Sequence, residues 1–105
     1  MSEIKILKLL QIMETLRDPL NGCPWDKKQT LETIIPYSIE EVYEVAAEVY
    51  KKNYKGLKEE LGDLLFQVVY LSQIAKEKKK FDFKDVVNGI IDKMTFRHPH
   101  VFKNK

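Results

Sequence analysis

Two stretches that read as helix put carboxylates three residues apart, and they constrain this chain more than anything else in it. The first is Ile39-Glu40-Glu41-Val42-Tyr43-Glu44-Val45-Ala46-Ala47-Glu48; the second is Glu59-Glu60-Leu61-Gly62-Asp63-Leu64-Leu65-Phe66. Residues three apart are neighbours on a helix surface, so Glu41 with Glu44, and Glu60 with Asp63, form two carboxylate pairs. Set face to face, the pairs build a nest of oxygens suited to a hard divalent cation. The reading is a Mg²⁺ site for phosphate chemistry, and it requires the two helices to lie side by side.

A lone E-E-x-x-E is more often a solvated face, because glutamate is a good helix former. Three departures from local rules tell against that here. No lysine or arginine stands four residues after Glu40, Glu41 or Glu44, and only Glu48 has such a partner, Lys52. Like charges stacked this way cost roughly a few tenths of a kcal/mol per pair unless something cationic offsets them. Asp63 sits in apolar company, where a carboxylate risks desolvation. Gly62 costs roughly 1 kcal/mol against alanine in a helix interior, which suggests a close approach to the backbone. Several violations in one place are the mark of a functional site.

The remaining chain supplies helices to hold these faces. Ile4, Leu7, Leu10, Met13 and Leu16 recur at three-residue steps and predict a helix over about 3–17, with Ser2 as its cap. Asp18-Pro19 ends it. Asp26-Lys27-Lys28-Gln29 fits a capping box opening a short helix to about 33. Pro36 suits the first turn of the next, which runs to about 53 with Val42, Val45, Ala46 and Val49 as its apolar stripe. The third helix spans about 57–79. Its Leu61–Leu71 segment is so apolar that burial on several sides is expected, and Glu60, Asp63, Gln67 and Tyr70 line its other side. Asp82 caps a fourth helix to about 96, with Val86, Val87, Ile90, Ile91 and Met94 inward. The tail His98-Pro99-His100-Val101-Phe102 is expected to be irregular. The class is all-α, a four-helix bundle within one domain over 1–105, completed between two subunits because 105 residues enclose little core.

Bulk properties exclude other classes. A net charge of +2 is too small to argue for nucleic acid. One cysteine, Cys23, rules out an internal disulfide framework and fits a reducing compartment. No apolar run reaches membrane-span length and the first residues hold no apolar signal region, so the expected location is the cytoplasm.

Only oxygen ligands are on offer, which favours Mg²⁺, or Mn²⁺, over zinc or copper. Neither His98 nor His100 stands three residues after a glutamate, as a di-iron bundle requires. Because Mg²⁺ is held by few carboxylates together with substrate phosphates, a polyphosphate ligand is implied. Lys93 and Arg97, one turn apart on the fourth helix, are the choice for phosphate contacts, against the plainer reading of surface charge. Trp25, the sole tryptophan, reads first as a loop anchor and second as a wall over a planar ligand.

These residues resemble a known family. Glu40-Glu41-x-x-Glu44 followed by Glu60-x-x-Asp63 is similar to the E-E-x-x-E…E-x-x-D signature of the MazG-type all-α nucleotide pyrophosphohydrolases. Leu16-Arg17-Asp18-Pro19, Gly22-Cys23-Pro24-Trp25-Asp26, Glu60-Leu61-Gly62-Asp63-Leu64-Leu65 and Arg97-His98-Pro99-His100-Val101-Phe102 agree as well. Many members carry two such units in tandem. These 105 residues hold one, most like the first. The resemblance implies a dimer or higher homo-oligomer that binds Mg²⁺ and cleaves (deoxy)nucleoside triphosphates to monophosphate and pyrophosphate, cleansing nucleotide pools. It implies Glu41, Glu44, Glu60 and Asp63 as metal ligands, and Lys93 and Arg97 as phosphate contacts. Glu40 or Glu41 then takes the proton from the attacking water, and Trp25 or another loop aromatic stacks on the base. The alternatives are a pyrophosphatase of phosphoribosyl-ATP or dUTP, or a non-catalytic nucleotide-binding dimer that regulates a partner.

Overall fold

The computed structural model describes residues 2–102, with side chains from Lys5 onward. The first helix, α1, spans Ser2–Leu16 and buries Met13 completely, with Leu9 and Leu10 packed beside it. The cap read for Ser2 and the place of Ile4 in the stripe lie outside the described side chains. The loop after α1 folds tightly on itself: the Gly22 N–H donates to Asp18 O at 2.8 Å and Cys23 N–H to Leu16 O at 2.9 Å. A Cβ on Gly22 would collide with both of those carbonyl oxygens, so the loop needs glycine there.

The next helix starts earlier than its proline suggests. Asp26–Lys28 forms only one 3₁₀ turn, without a side-chain cap. The working capping box is Thr30 with Thr33, whose side chains and backbone N–H groups bond reciprocally. It opens α2 over Leu31–Tyr50, leaving Pro36 inside the helix. Satisfying the orphan N–H groups at Thr30 outweighs the one hydrogen bond Pro36 cannot donate.

Asn53 caps α3 (Tyr54–Glu77) by accepting from the Gly56 N–H at 3.1 Å. Asp82 caps α4 (Phe83–Arg97) as expected, and Asp85 completes a reciprocal box, with both bonds at 3.0 Å. The tail is ordered rather than irregular: Pro99–Phe102 makes a helical turn, α5, closed by Val101 and Phe102 donating to His98 O at 3.0 Å.

Both long helices end in the same device. Lys52 N–H reaches Val49 O at 3.1 Å and Asn53 N–H reaches Glu48 O at 3.0 Å; Lys79 N–H reaches Lys76 O at 2.9 Å and Lys80 N–H reaches Ala75 O at 3.0 Å. These are Schellman motifs, and they force Lys52 (φ 57°) and Lys79 (φ 61°) into the left-handed region that glycine prefers.

The core is small: Met13, Ile34, Val69, Tyr70 and Ile74, with Phe66, Leu71 and Phe83 against it. It gathers α1, the start of α2, the second half of α3 and the start of α4. The leucine-rich side of α3 is not enclosed within the chain, since Leu61 is 47% exposed and Leu65 and Val68 nearly 40%. Val42 and Val49 on α2, and Ile90 and Ile91 on α4, are likewise about half exposed. The apolar stripes exist, but one copy of the chain covers only part of them. The close approach expected at Gly62 is absent too: a Cβ there meets open space among the described residues.

Candidate metal centre

What faces α2 is the polar stripe of α3, and this decides where the chemistry sits. The helices run antiparallel, matched rung by rung. Ser38 Oγ donates to Gln67 Oε1 at 2.8 Å. Glu41 then stands opposite Asp63 and Glu60, and the Glu48 carboxylate lies over Gly56. Ser38, Glu41 and Glu48 fall on one face of α2 by their three- and seven-residue spacing, as Glu60, Asp63 and Gln67 do on α3 by spacings of three and four.

Carboxylate oxygens of Glu41, Glu60 and Asp63 all lie within 4.8 Å of one another. Glu41 and Glu60 are half-buried and Asp63 is exposed, so the group opens to solvent on the α3 side. Glu41 Oε2 is buried and accepts no hydrogen bond. Burial first, then the adjoining Glu60 carboxylate, and then the charges of Asp63 and Glu44, push Glu41 up to about 7. The desolvated acid is therefore Glu41 and not Asp63. The apolar neighbours of Asp63 in sequence point away from it around α3, whereas Glu41 is pressed between two helices.

An orphaned buried oxygen among three converging carboxylates, with no thiolate or imidazole in the group, fits a hard divalent cation. No cation-bearing side chain answers these acids: the ion pairs among the described residues lie elsewhere, apart from Lys51 with Glu48 at 3.7 Å. That pair is made three residues along the helix, and not with Lys52, which has left the helix at the Schellman turn.

The other expected site residues are placed less tightly. Glu44 is exposed and outside the three-carboxylate group, near enough only for its charge to act on Glu41. Glu40 is exposed on α2. Lys93 and Arg97 are exposed on α4, without an ion pair to the carboxylates among the described residues. Trp25 is 49% exposed and meets Tyr37 edge to face, with ring centroids 5.6 Å apart. The Ser38–Gln67 rung and the Tyr37 contact escaped the sequence reading. Their signal was position: each lies one turn from an acid of the signature.

The loop carrying Trp25 is held by a second polar assembly. Arg17, with its side chain only 8% exposed, donates to both Glu77 carboxylate oxygens at 2.7 and 2.8 Å. It also donates to Asp26 O at 2.7 Å and Gln29 O at 2.9 Å. Tyr70 donates its hydroxyl to Asp26, and the Arg17 guanidinium lies 5.7 Å from the Tyr70 ring centre.

Comparison with known proteins agrees with this architecture. The family model described as "MazG nucleotide pyrophosphohydrolase domain" matches residues 29–102. The chain is 55% identical over 98 residues to the nucleoside triphosphate pyrophosphohydrolase of Escherichia coli (strain K12), covering 93% of this chain and 37% of that protein. It is 50% identical over 104 residues to the nucleoside triphosphate pyrophosphohydrolase/pyrophosphatase MazG of Thermotoga maritima, covering 97% of this chain and 40% of that protein. It thus spans about two fifths of the length of these relatives. The crystal structure of a mazG-related protein from Thermotoga maritima superposes with a TM-score of 0.76 at 30% identity, covering 93% of this chain and 83% of that one. The chain belongs to the MazG nucleotide pyrophosphohydrolase domain family.

Proposed function

We propose that this domain hydrolyses nucleoside triphosphates to the monophosphate and pyrophosphate with Mg²⁺, or Mn²⁺ in its place, and so clears unwanted nucleotides from the pool. One observation carries the reading: the carboxylates of Glu41, Glu60 and Asp63 come together without local counter-charges, and one Glu41 oxygen is buried without a partner. Glu41, Glu60 and Asp63 would hold the cation, with exposed Glu44 turning in as a fourth ligand. A divalent cation held there supplies positive charge against the polyphosphate. Glu40, exposed beside the cluster, accepts a proton from the attacking water and aligns it for in-line approach to the α-phosphorus. Lys93 and Arg97 meet the departing pyrophosphate as charge-assisted donors. The half-exposed apolar residues of α2, α3 and α4 exceed what a solitary chain usually shows. We infer that copies of the chain associate through them, as a dimer or higher homo-oligomer.

The test is pyrophosphate release from a panel of ribo- and deoxynucleoside triphosphates, dUTP included, with and without Mg²⁺ or Mn²⁺. Release that needs the cation and is abolished in Glu41→Gln and Asp63→Asn is expected. Full cation-dependent release in both variants would overturn the site assignment. Binding without turnover at any cation concentration would overturn the enzymatic one. Light scattering during gel filtration reads the association, and a monomer at all concentrations would refute it.

A further inference from the structure

One sequence feature takes no part in the hydrolytic reading: His98-Pro99-His100, at the join of α4 and α5. Residues two apart on a continuous helix do not face each other. The helix is broken here. His98 caps α4 with φ −126° and ψ 57°, and Pro99 opens α5. The break brings the two imidazoles together, with ring centres 5.7 Å apart and planes inclined at 54°. An ion about 2 Å from a donor nitrogen lies about 3 Å from the ring centre, so two rings sharing one tetrahedral ion have centres about 5–6 Å apart.

Helix α4 fixes which nitrogen of His98 is free. Its Nδ1 lies 2.7 Å from Met94 O. A carbonyl can only accept, so Nδ1 carries the proton and, in the neutral ring, Nε2 keeps its lone pair. Metal-binding histidines are oriented in this way: one nitrogen donates to a carbonyl or carboxylate while the other holds the ion. The backbone between the rings is held as well. Pro99 has its φ locked by its own ring, and the Val101 and Phe102 N–H groups both donate to His98 O at 3.0 Å. His98 is half-buried and His100 exposed, so the pair is open to solvent. Among the described residues, neither ring is paired with a carboxylate.

We propose that His98, through Nε2, and His100 form a second metal site, for a borderline divalent transition ion such as Zn²⁺, Ni²⁺ or Cu²⁺, with water in the remaining positions. Imidazole suits these ions as carboxylate suits Mg²⁺. The group of Glu41, Glu60 and Asp63 includes no imidazole, so the two sites sort ions by donor type. An ion held by both rings ties the α5 turn to the end of α4. The site stands whether or not the domain hydrolyses nucleotides.

The test is a titration of the protein with ZnCl₂ in excess Mg²⁺, which occupies the oxygen donors. Long-range proton–nitrogen spectra of the imidazoles and calorimetry follow it in the parent and in His98→Gln and His100→Gln. Before Zn²⁺ is added, His98 should carry its proton on Nδ1. Zn²⁺ should then shift His98 Nε2 and one nitrogen of His100 together, with a single midpoint. Each variant should weaken this binding by at least about tenfold while keeping the helix content of the parent in circular dichroism. A His98 proton on Nε2, imidazole signals that Zn²⁺ leaves in place, or an unchanged midpoint in either variant would overturn the site. Two rings that respond with different midpoints would mean adventitious contacts only, and would overturn it too.

Discussion

Helix α3 carries two polar assemblies that treat charge in opposite ways. Toward its C-terminal end, Tyr70 and Glu77 join Arg17 and Asp26 in a network where the cation meets an anion and two carbonyls. Toward its N-terminal end, Glu60 and Asp63 meet only Glu41, another acid. The first assembly lowers the Glu77 carboxyl, chiefly through the Arg17 hydrogen bond. The second pushes Glu41 up to about 7, chiefly through burial. Charges that the chain satisfies itself act as a staple, while charges it leaves unsatisfied make a place for something from outside. The contrast sets a self-satisfied polar assembly beside an unsatisfied one on a single helix without reference to any relative.

The sharpest way to break the contrast is at Glu41. Glu41→Gln should lower pyrophosphate release by at least about a hundredfold, since several kcal/mol of charge stabilisation go with the cation. The same substitution should raise the midpoint of thermal unfolding in the absence of divalent cation. A variant that loses both activity and stability would mean that the acids are structural after all.

At the other end, Arg17→Met removes four hydrogen bonds and leaves two carbonyls and a carboxylate to find water. The expected cost is about 2–4 kcal/mol of stability. For a chain of this size, that is a fall of roughly 10 °C or more in Tm. If Tm moved by less than a degree or two, the staple would be surface decoration.

The pH dependence should have opposite signs at the two ends. Glu41 titrates at about 7 in the folded chain against an ordinary 4.5, so between those values the folded chain keeps a proton that the unfolded chain has lost. Stability without cation should therefore fall as pH rises from about 4.5 to 7, and Glu41→Gln should remove that slope. Glu77 is held below its ordinary value, so its contribution is present above 4.5 and is lost as pH falls through its folded value. Saturating Mg²⁺ should abolish the Glu41 slope, because the cation displaces the Glu41 proton. A Mg²⁺-independent slope would count against the metal centre.

The smallest effect is a control. Lys52 and Lys79 occupy left-handed positions just past the ends of α2 and α3. Replacing either with glycine should stabilise by about 0.5 kcal/mol, the relief of left-handed strain less the added freedom of the unfolded chain. The two gains should match in chemical denaturation. Unequal gains would show that the assemblies reach into the helix ends.

Much of this was legible in advance because it is local. Apolar period, the Asp82 cap and the spacing of Glu41 with Glu44 and of Glu60 with Asp63 act within a turn or two of helix, where sequence distance and spatial distance agree. The misreadings share one cause. Pro36 looked like a helix start because its own preference was weighed without the Thr30–Thr33 cap six residues earlier. Asp63 looked desolvated because its sequence neighbours are leucines, though a helix turns them to the far side. Gly62 looked like a close approach and faces open space within one chain.

The sequence by itself determined the class, the helices and the two acidic faces, because helical periodicity is a property of short segments. Only the tertiary structure decided which stripe of α3 would face α2. The reading of two acidic faces set together needed the polar stripe there, and that stripe, not the leucines, takes the place. Packing selects among the faces a helix offers, and the choice depends on residues far apart in the chain: Ser38 with Gln67, Glu41 with Asp63, Arg17 with Glu77. That choice left Glu41, half-buried and with one oxygen unpartnered, between Glu60 and Asp63 at the centre of the candidate site.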